Sequence, residues 1–410
     1  MQEFYELDRI RITSEIFEAL DDGKPVSLTN VKGGLKGFMA MLVFEQTENS
    51  VLFVMPSDKE ARQRYKILSR FTNQNIVYYP LEQVHDYFSD AHTLTVNAER
   101  LSVMRKVLTG EPVLVVTSMD ALLKKLQPPE RLNDSFVTLK TGEDFGLEHL
   151  AQLLSGYGYE RVYQIEAKGQ FSVRGGIVDV FPMTSDIAYR VEFFDDEIET
   201  IRQLDPATQR SNQEVDSVTV TPAFEILLTQ TERKEALKAL KDKYDGAERL
   251  AELLEKIETE DGRHDETLSV LTERKASFVD YMSFAGADPI VVWDDPTASR
   301  ETAGIFLQRA QEDYTALSEE GEAFPEEAKK FFSVYQIERQ LKSGRVIQEY
   351  LFGTRTKKGE IFDMDSRAIE SFAGQPAVFE QFLKNRERDG FYIHFFCRDQ
   401  AGIDKVRRFL

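Results

Sequence analysis

Short apolar runs alternate with helical patterns from residue 24 to residue 125. The segments "PVSL" (25–28), "VLFVM" (51–55), "IVYY" (76–79) and "VLVVT" (113–117) have strand length and almost no polar interruption. Strands buried on both faces of a parallel sheet carry this pattern. The intervening segments read as helices. "SDKEARQRYKILSRF" opens with Ser57 and Glu60 in capping-box spacing. "NAERLSVMRKVLTG" closes on Gly110, a helix-ending glycine, and "SMDALLKKL" follows the fourth strand directly as a further helix. Strand and helix in strict alternation predict an α/β layer fold.

The pattern changes near residue 136. "FVTLKTGEDFGLEHLAQLLSGYGYERV" predicts a strand and then a helix ending near Gly156. "FSVRGGIVDVFP", "YRVEFFDD" and "EIETIRQLD" follow as alternating strands with acidic turns, the pattern of an antiparallel sheet backed by a helix. From residue 222 the chain is mostly helical, with charges at helical spacing in "TERKEALKALKDKY" and "AERLAELLEKIETE". One buried strand, "PIVVWDD" (289–295), interrupts the helices and needs a sheet to join. The first block's parallel sheet is the nearest, which makes the antiparallel unit an insertion into one α/β unit. A last block holds the helix "PAVFEQFLKNRERDG", the strand "FYIHFFC" and the helix "QAGIDKVRRFL", and it stops mid-pattern at Leu410 as a piece of a longer chain would. The expected division is therefore 1–135, an inserted 136–221, 222–346 completing the first unit, and 347–410 as the start of another small α/β domain.

Composition narrows the function classes. The chain has 410 residues, is 41% hydrophobic and 30% charged, and carries a formal net charge of −20. Such an acidic chain repels phosphate backbones overall, so a protein partner is easier to support than nucleic acid. The single cysteine, Cys397, cannot form an internal disulfide and suits a reducing cytosol. The amphipathic, acidic N-terminus lacks a secretion signal's basic and apolar regions. No run reaches the ~18 apolar residues that span a bilayer, so no membrane association is expected. The histidines at 85, 92, 149, 264 and 394 show no metal-binding spacing, and there is no G-x-S-x-G.

The turn "LTNVKGGLKGFMA" after the first strand invites comparison with G-x-x-x-x-G-K-[ST], in which backbone N–H groups cradle phosphates, the lysine reaches the β/γ oxygens and the hydroxyl holds Mg²⁺. With Lys36 as the motif lysine, Asn30 and Leu35 occupy the glycine positions and Gly37 replaces the hydroxyl residue. In "VVWDDP", Asp294 and Asp295 stand where an acidic pair belongs, but Asp295 replaces the glutamate that orients water. Two readings stand, a relic of a nucleotide site and weak nucleotide binding.

In "YRVEFF", period-two alternation puts Val191 and Phe193 on a buried face and Arg190, Glu192 and Phe194 on the other. Exposed arginine and aromatic side chains anchor protein interfaces. The bland alternative is an internal Arg190–Glu192 or Arg174–acid pair with Phe194 covered by a loop. "FSVRGGIVDVFP" reads as one strand bent at Gly175 and Gly176, which re-aims Arg174.

"GQFSVRGGIVDVFP…YRVEFFDDEIETIRQLDPATQRS" closely resembles the inserted domain 2 shared by the UvrB and transcription-repair coupling factor (Mfd) families, over about forty residues. "FVDYMSFAGADPIVVWDDP" resembles the segment that carries UvrB's acidic box, and "VSLTNVKGGLKGFMA" its phosphate loop with the function eroded. "VYYPLEQVHDYFSDAHT" (77–93) lacks UvrB's Tyr-rich hairpin, and with the eroded loop this favours the coupling-factor branch. The resemblance implies a degenerate P-loop, RecA/helicase-like domain (UvrB-like 1a and 1b) interrupted by domain 2 and followed by the start of domain 3. It implies a non-catalytic, cytoplasmic module that recruits UvrA in transcription-coupled excision repair, through Arg174, Arg190 and Phe194 and more weakly through Glu192. RNA polymerase, DNA, ATP and Mg²⁺ would be handled by regions beyond this chain, with no cofactor here, and motor domains could cover domain 2. The other reading is a UvrB-like DNA-unwinding ATPase, for which Lys36, Asp294 and Asp295 would have to function.

Overall fold

A computed structural model describes residues 11–70, 75–82, 90–244, 248–259, 264–272, 276–286, 288–352, 359–367, 374–391 and 400–409, with the single residues 369, 372, 393 and 395. The first strands are β1 (Val26–Thr29), β2 (Val51–Met55), β3 (Ile76–Tyr78) and β4 (Leu114–Ser118). Side chains of β2 alternate between two cores. Val51, Phe53 and Met55 join one cluster with Ile16, Met39 and Val43, while Leu52 and Val54 join another with Leu101, Met104 and Trp293. Burial on both faces explains why the strand reads as an unbroken apolar run.

The insertion contributes β5 (Val137–Lys140), β6 (Glu160–Arg161), β7 (Gln170–Arg174), β8 (Ile177–Val180), β9 (Ala188–Phe194), β10 (Glu197–Asp205), β11 (Arg210–Glu214) and β12 (Ser217–Val220). The chain then returns through β13 (Ile290–Asp294), β14 (Val346–Glu349) and β15 (Glu360–Asp363). Among the described residues the main sheet has seven strands in the order β15-β1-β14-β13-β2-β4-β3, every pairing parallel. A second sheet, β11-β10-β9-β8-β7-β6, is antiparallel except at β6–β7, and among the described residues β12 pairs with β5 alone. The fold is α/β with an inserted antiparallel unit, and "PIVVWDD" joins the first block's sheet between β2 and β14.

Helix ends follow their local chemistry. Ser57 accepts a bond from the Glu60 amide at the start of helix Asp58–Leu68, and Gly110 takes φ +77° just past helix Asp90–Leu108.

Three local expectations need correction. "FSVRGGIVDVFP" is two strands, because Arg174 pairs with Ile177 across a two-residue turn in which Gly175 has φ +57°. A Cβ on Gly176 would lie 3.0 Å from the Phe193 carbonyl oxygen, so this turn packs against the next hairpin. "SMDALLKKL" forms only the 3-10 turn Asp120–Leu122. Tertiary bonds from the Lys125 amide to the Lys330 carbonyl and from the Leu126 amide to the Ala276 carbonyl, both 2.8 Å, take the backbone out of the helix. Finally, a boundary at residue 346 would cut β14, which bridges β1 and β13 inside the main sheet. The strand expected at 391–397, with His394 and Cys397, lies largely outside the described residues, as do residues 83–89 of the segment 77–93.

Candidate functional site: the outer face of the inserted sheet

Cross-strand register defines the face. Ser172 pairs with Asp179, Asp179 with Arg190, Arg190 with Arg202, and Arg202 with Glu214, so one polar row crosses five strands. Arg174, Ile177, Glu192 and Thr200 form the next row, and Phe194 lies one step beyond Glu192 on β9. Val178, Val191 and Ile201 point the other way, into the core with Leu150 and Leu154 of helix Leu147–Gly156. The alternation read in "YRVEFF" places Arg190, Glu192 and Phe194 together, as expected.

The electrostatics of this face were not legible. Asp179, whose side chain is 1% exposed, accepts Arg190 Nε on Oδ1 at 2.7 Å and Arg190 Nη2 on Oδ2 at 2.9 Å. Arg174 Nη2 donates to the same Oδ2 at 2.7 Å. The Arg190 side chain is therefore only 17% exposed and that of Arg174 39%. The hydrogen bonds to Asp179 raise the Arg190 pKa further. Glu192 is engaged by the Thr200 hydroxyl at 2.9 Å and by Arg202 at 3.6 Å, rather than by Arg190. Arg190 and Arg202 are like charges directly opposite each other, and Asp179, Glu192 and Glu214 offset them. Phe194 is 71% exposed. Internal pairing and an uncovered aromatic thus coexist. The far end of the face is closed by an apolar patch of Ile165, Ala188 and Leu204. Sequence reasoning missed Asp179 and Arg202. Asp179 had a signal, an acid in the otherwise apolar run Ile177–Val180.

Lys36, Asp294 and Asp295, the residues compared above with a nucleotide motif, lie at the C-terminal ends of the parallel strands, where α/β sheets bind ligands. Here the position is filled from within. Lys36 Nζ lies 2.8 and 3.0 Å from the two Asp294 oxygens, with Lys36 18% exposed and Asp294 fully buried. Gly37, at the hydroxyl position, has φ +78°, and a Cβ there would lie 2.8 Å from Arg64 Cδ. A serine or threonine there would be strained by the backbone itself. Asp295 caps helix Pro296–Glu320, accepting the Ala298 amide at 3.1 Å, and does so with φ +38°. Asn30 takes the left-handed φ +56° that a motif glycine would allow.

A residue outside the motif completes this cluster. Glu349 ends β14 beside Asp294 in register, is fully buried, and neither of its carboxylate oxygens has a hydrogen-bond partner among the described residues. Burial first, and Asp294 second, push its pKa up from 4.5 to about 8. The folded chain thus holds a proton that the unfolded chain releases, and stability falls as pH rises from about 4.5 to about 8. Glu349→Gln, neutral at every pH, removes that loss. The variant should match the parent near pH 4.5 and exceed it by about 1–3 kcal/mol near pH 8.5 in urea unfolding. Equal stability at pH 8.5 would refute the assignment.

Among the described residues no group of three or more His, Cys, Asp or Glu side chains could hold a metal ion, and no helix is long and apolar enough to cross a membrane.

Together these features define a class: an α/β scaffold in which Lys36 is paired with Asp294 at the strand ends, carrying an inserted antiparallel unit. Residues 137–225 match the family described as the UvrB interaction domain. Over nearly its whole length the chain is also similar to transcription-repair-coupling factors. It is 24% identical to that of Bacillus subtilis over 413 residues, covering 95% of this chain and 35% of the relative. Against the Staphylococcus haemolyticus protein the identity is 23% over 415 residues, with 96% and 35% covered. Against the Haemophilus influenzae protein it is 29% over 198 residues, with 48% and 17% covered. The chain spans about a third of the length of the Bacillus subtilis and Staphylococcus haemolyticus relatives.

Proposed function

We propose that this chain is the UvrA-recruiting, non-catalytic module of a transcription-repair coupling factor, acting in the cytoplasm in transcription-coupled excision repair. Stalled RNA polymerase, DNA, ATP and Mg²⁺ would be engaged by regions beyond it. The observation that carries the reading is the uncovered Phe194 beside Arg174 and Arg190 on the outer face of the UvrB interaction domain. Arginine and aromatic side chains at the centre of a face are the usual hot spots of protein interfaces. Glu192, tied to Thr200 and Arg202, lies on the same face and would contribute less. The Lys36–Asp294 pair weighs against the ATPase alternative, since the lysine that would meet phosphate already has a buried partner.

Titration of UvrA with this chain tests the reading. Arg190→Ala and Phe194→Ala should each weaken binding by about 30-fold or more, the loss of a hot spot worth about 2 kcal/mol. Unchanged affinity in both variants would end the assignment.

A further inference from the structure

Asp179 sits between two guanidinium groups and is itself hidden from any partner, with 1% of its side chain exposed. It makes a two-oxygen clamp on Arg190 and shares Oδ2 with Arg174. Its neighbours along β8, Val178 and Val180, belong to the core on the opposite face. Asp179 therefore adds nothing to that core's packing. Its bonds go to two arginines on the outward face.

We infer that Asp179 is the positioning residue of the docking face, an inference that rests on the UvrA reading above. The planar fork of Arg190 matches a carboxylate in two-point geometry, which orders the side chain before any partner arrives. Binding to ordered side chains avoids the rotamer entropy lost when free ones are fixed. The clamp occupies Nε and Nη2 of Arg190 and Nη2 of Arg174. Among the described residues nothing accepts from Nη1 of Arg190 or from Nε and Nη1 of Arg174, which leaves them as donors for a partner. The complementary surface therefore carries carboxylate or carbonyl oxygens beside an apolar socket for Phe194. Asp179 offsets one of the two charges of Arg174 and Arg190, so this pair keeps one net positive charge, while Glu192 and Glu214 face Arg202 on the same sheet. The open guanidinium donors select oxygen acceptors on the partner.

A double-mutant cycle tests the clamp by UvrA titration with the intact chain. Asp179→Asn preserves shape and removes charge. It should weaken UvrA binding by about tenfold or more in the parent, and by less than twofold where Arg174→Ala and Arg190→Ala are already present. Arg190→Lys, which keeps the charge but lacks the planar pair of nitrogens that meet the two Asp179 oxygens separately, should also lose about tenfold. A purely structural role would give Asp179→Asn the same loss in both backgrounds, and that result overturns the inference. Parent-like affinity for Arg190→Lys does the same, whether or not Asp179→Asn folds well. If the arginine variants lose affinity and Asp179→Asn does not, the clamp alone fails. If neither arginine variant loses affinity, the docking reading fails and takes the clamp with it.

Discussion

Glu225→Gln is expected to destabilise the fold by about 3–5 kcal/mol, the largest single effect predicted for this chain. Glu225 follows β12, where the chain leaves the inserted unit, and it is fully buried. Its carboxylate accepts Nε and Nη2 of the buried Arg100 and lies 3.1 Å from Lys124 Nζ. Arg100 also donates to the Pro80 carbonyl at 2.7 Å and to the Tyr79 hydroxyl, and its guanidinium lies 4.1 Å from the Tyr79 ring. Lys124 in turn reaches Glu82 and Glu266. One side chain thus joins helix Asp90–Leu108, the segments after β3 and β4, and the exit from the insertion. Removing its charge leaves Arg100 buried with only neutral partners, which costs far more than a surface pair. Arg100→Met combined with Glu225→Leu should recover most of the loss, because the desolvation cost of both charges disappears together. Urea unfolding of the two variants measures both. A loss below about 1 kcal/mol for Glu225→Gln would show that the network is not what joins the two units.

Lys36→Met is expected to destabilise the fold by about 2–4 kcal/mol near neutral pH, somewhat less than a fully buried pair because Lys36 is 18% exposed. The substitution leaves Asp294 and the unpartnered Glu349 side by side without their nearest cation. Burial already raises the Asp294 pKa, and Lys36 opposes that rise. Without the lysine both carboxyls are held higher, so the destabilisation should grow as pH rises and shrink toward pH 4, where both are protonated. Asp294→Asn in the same chain should restore most of the loss. Nucleotide provides the second measurement. The parent and Lys36→Met should bind millimolar ATP equally poorly. Binding by the parent that Lys36→Met abolishes would restore the ATPase reading.

The legible parts of this chain were those in which local chemistry and tertiary environment agree. The run Val51–Met55 could only be a doubly buried strand, and both cores do receive it. The departure from the phosphate-loop pattern showed in Leu35 and Gly37, because that loop is a contiguous backbone device. Its replacement did not show, since Lys36 and Asp294 are 258 residues apart and meet only when β1, β14 and β13 align. Glu349 was equally silent. An acid at the end of a strand looks solvated until the neighbouring strands close over it.

The same division runs through the outer face of the inserted sheet. Alternation in a strand is a property of the backbone, so the sequence alone grouped Arg190, Glu192 and Phe194 and identified Arg174 as unusual. Which acid the arginines would find was a question of register. The Gly175–Gly176 turn sets Arg174 opposite Ile177, which places Asp179 within reach of Arg174 and directly opposite Arg190. Periodicity and turn chemistry act over a few residues, and they determined the strands, the caps and the insertion. Burial and long-range pairing determine which charges are paired, which are protonated and which stay open. Only the folded chain decided that Lys36 is spent on Asp294, that Asp179 holds two arginines, and that Phe194 is left uncovered.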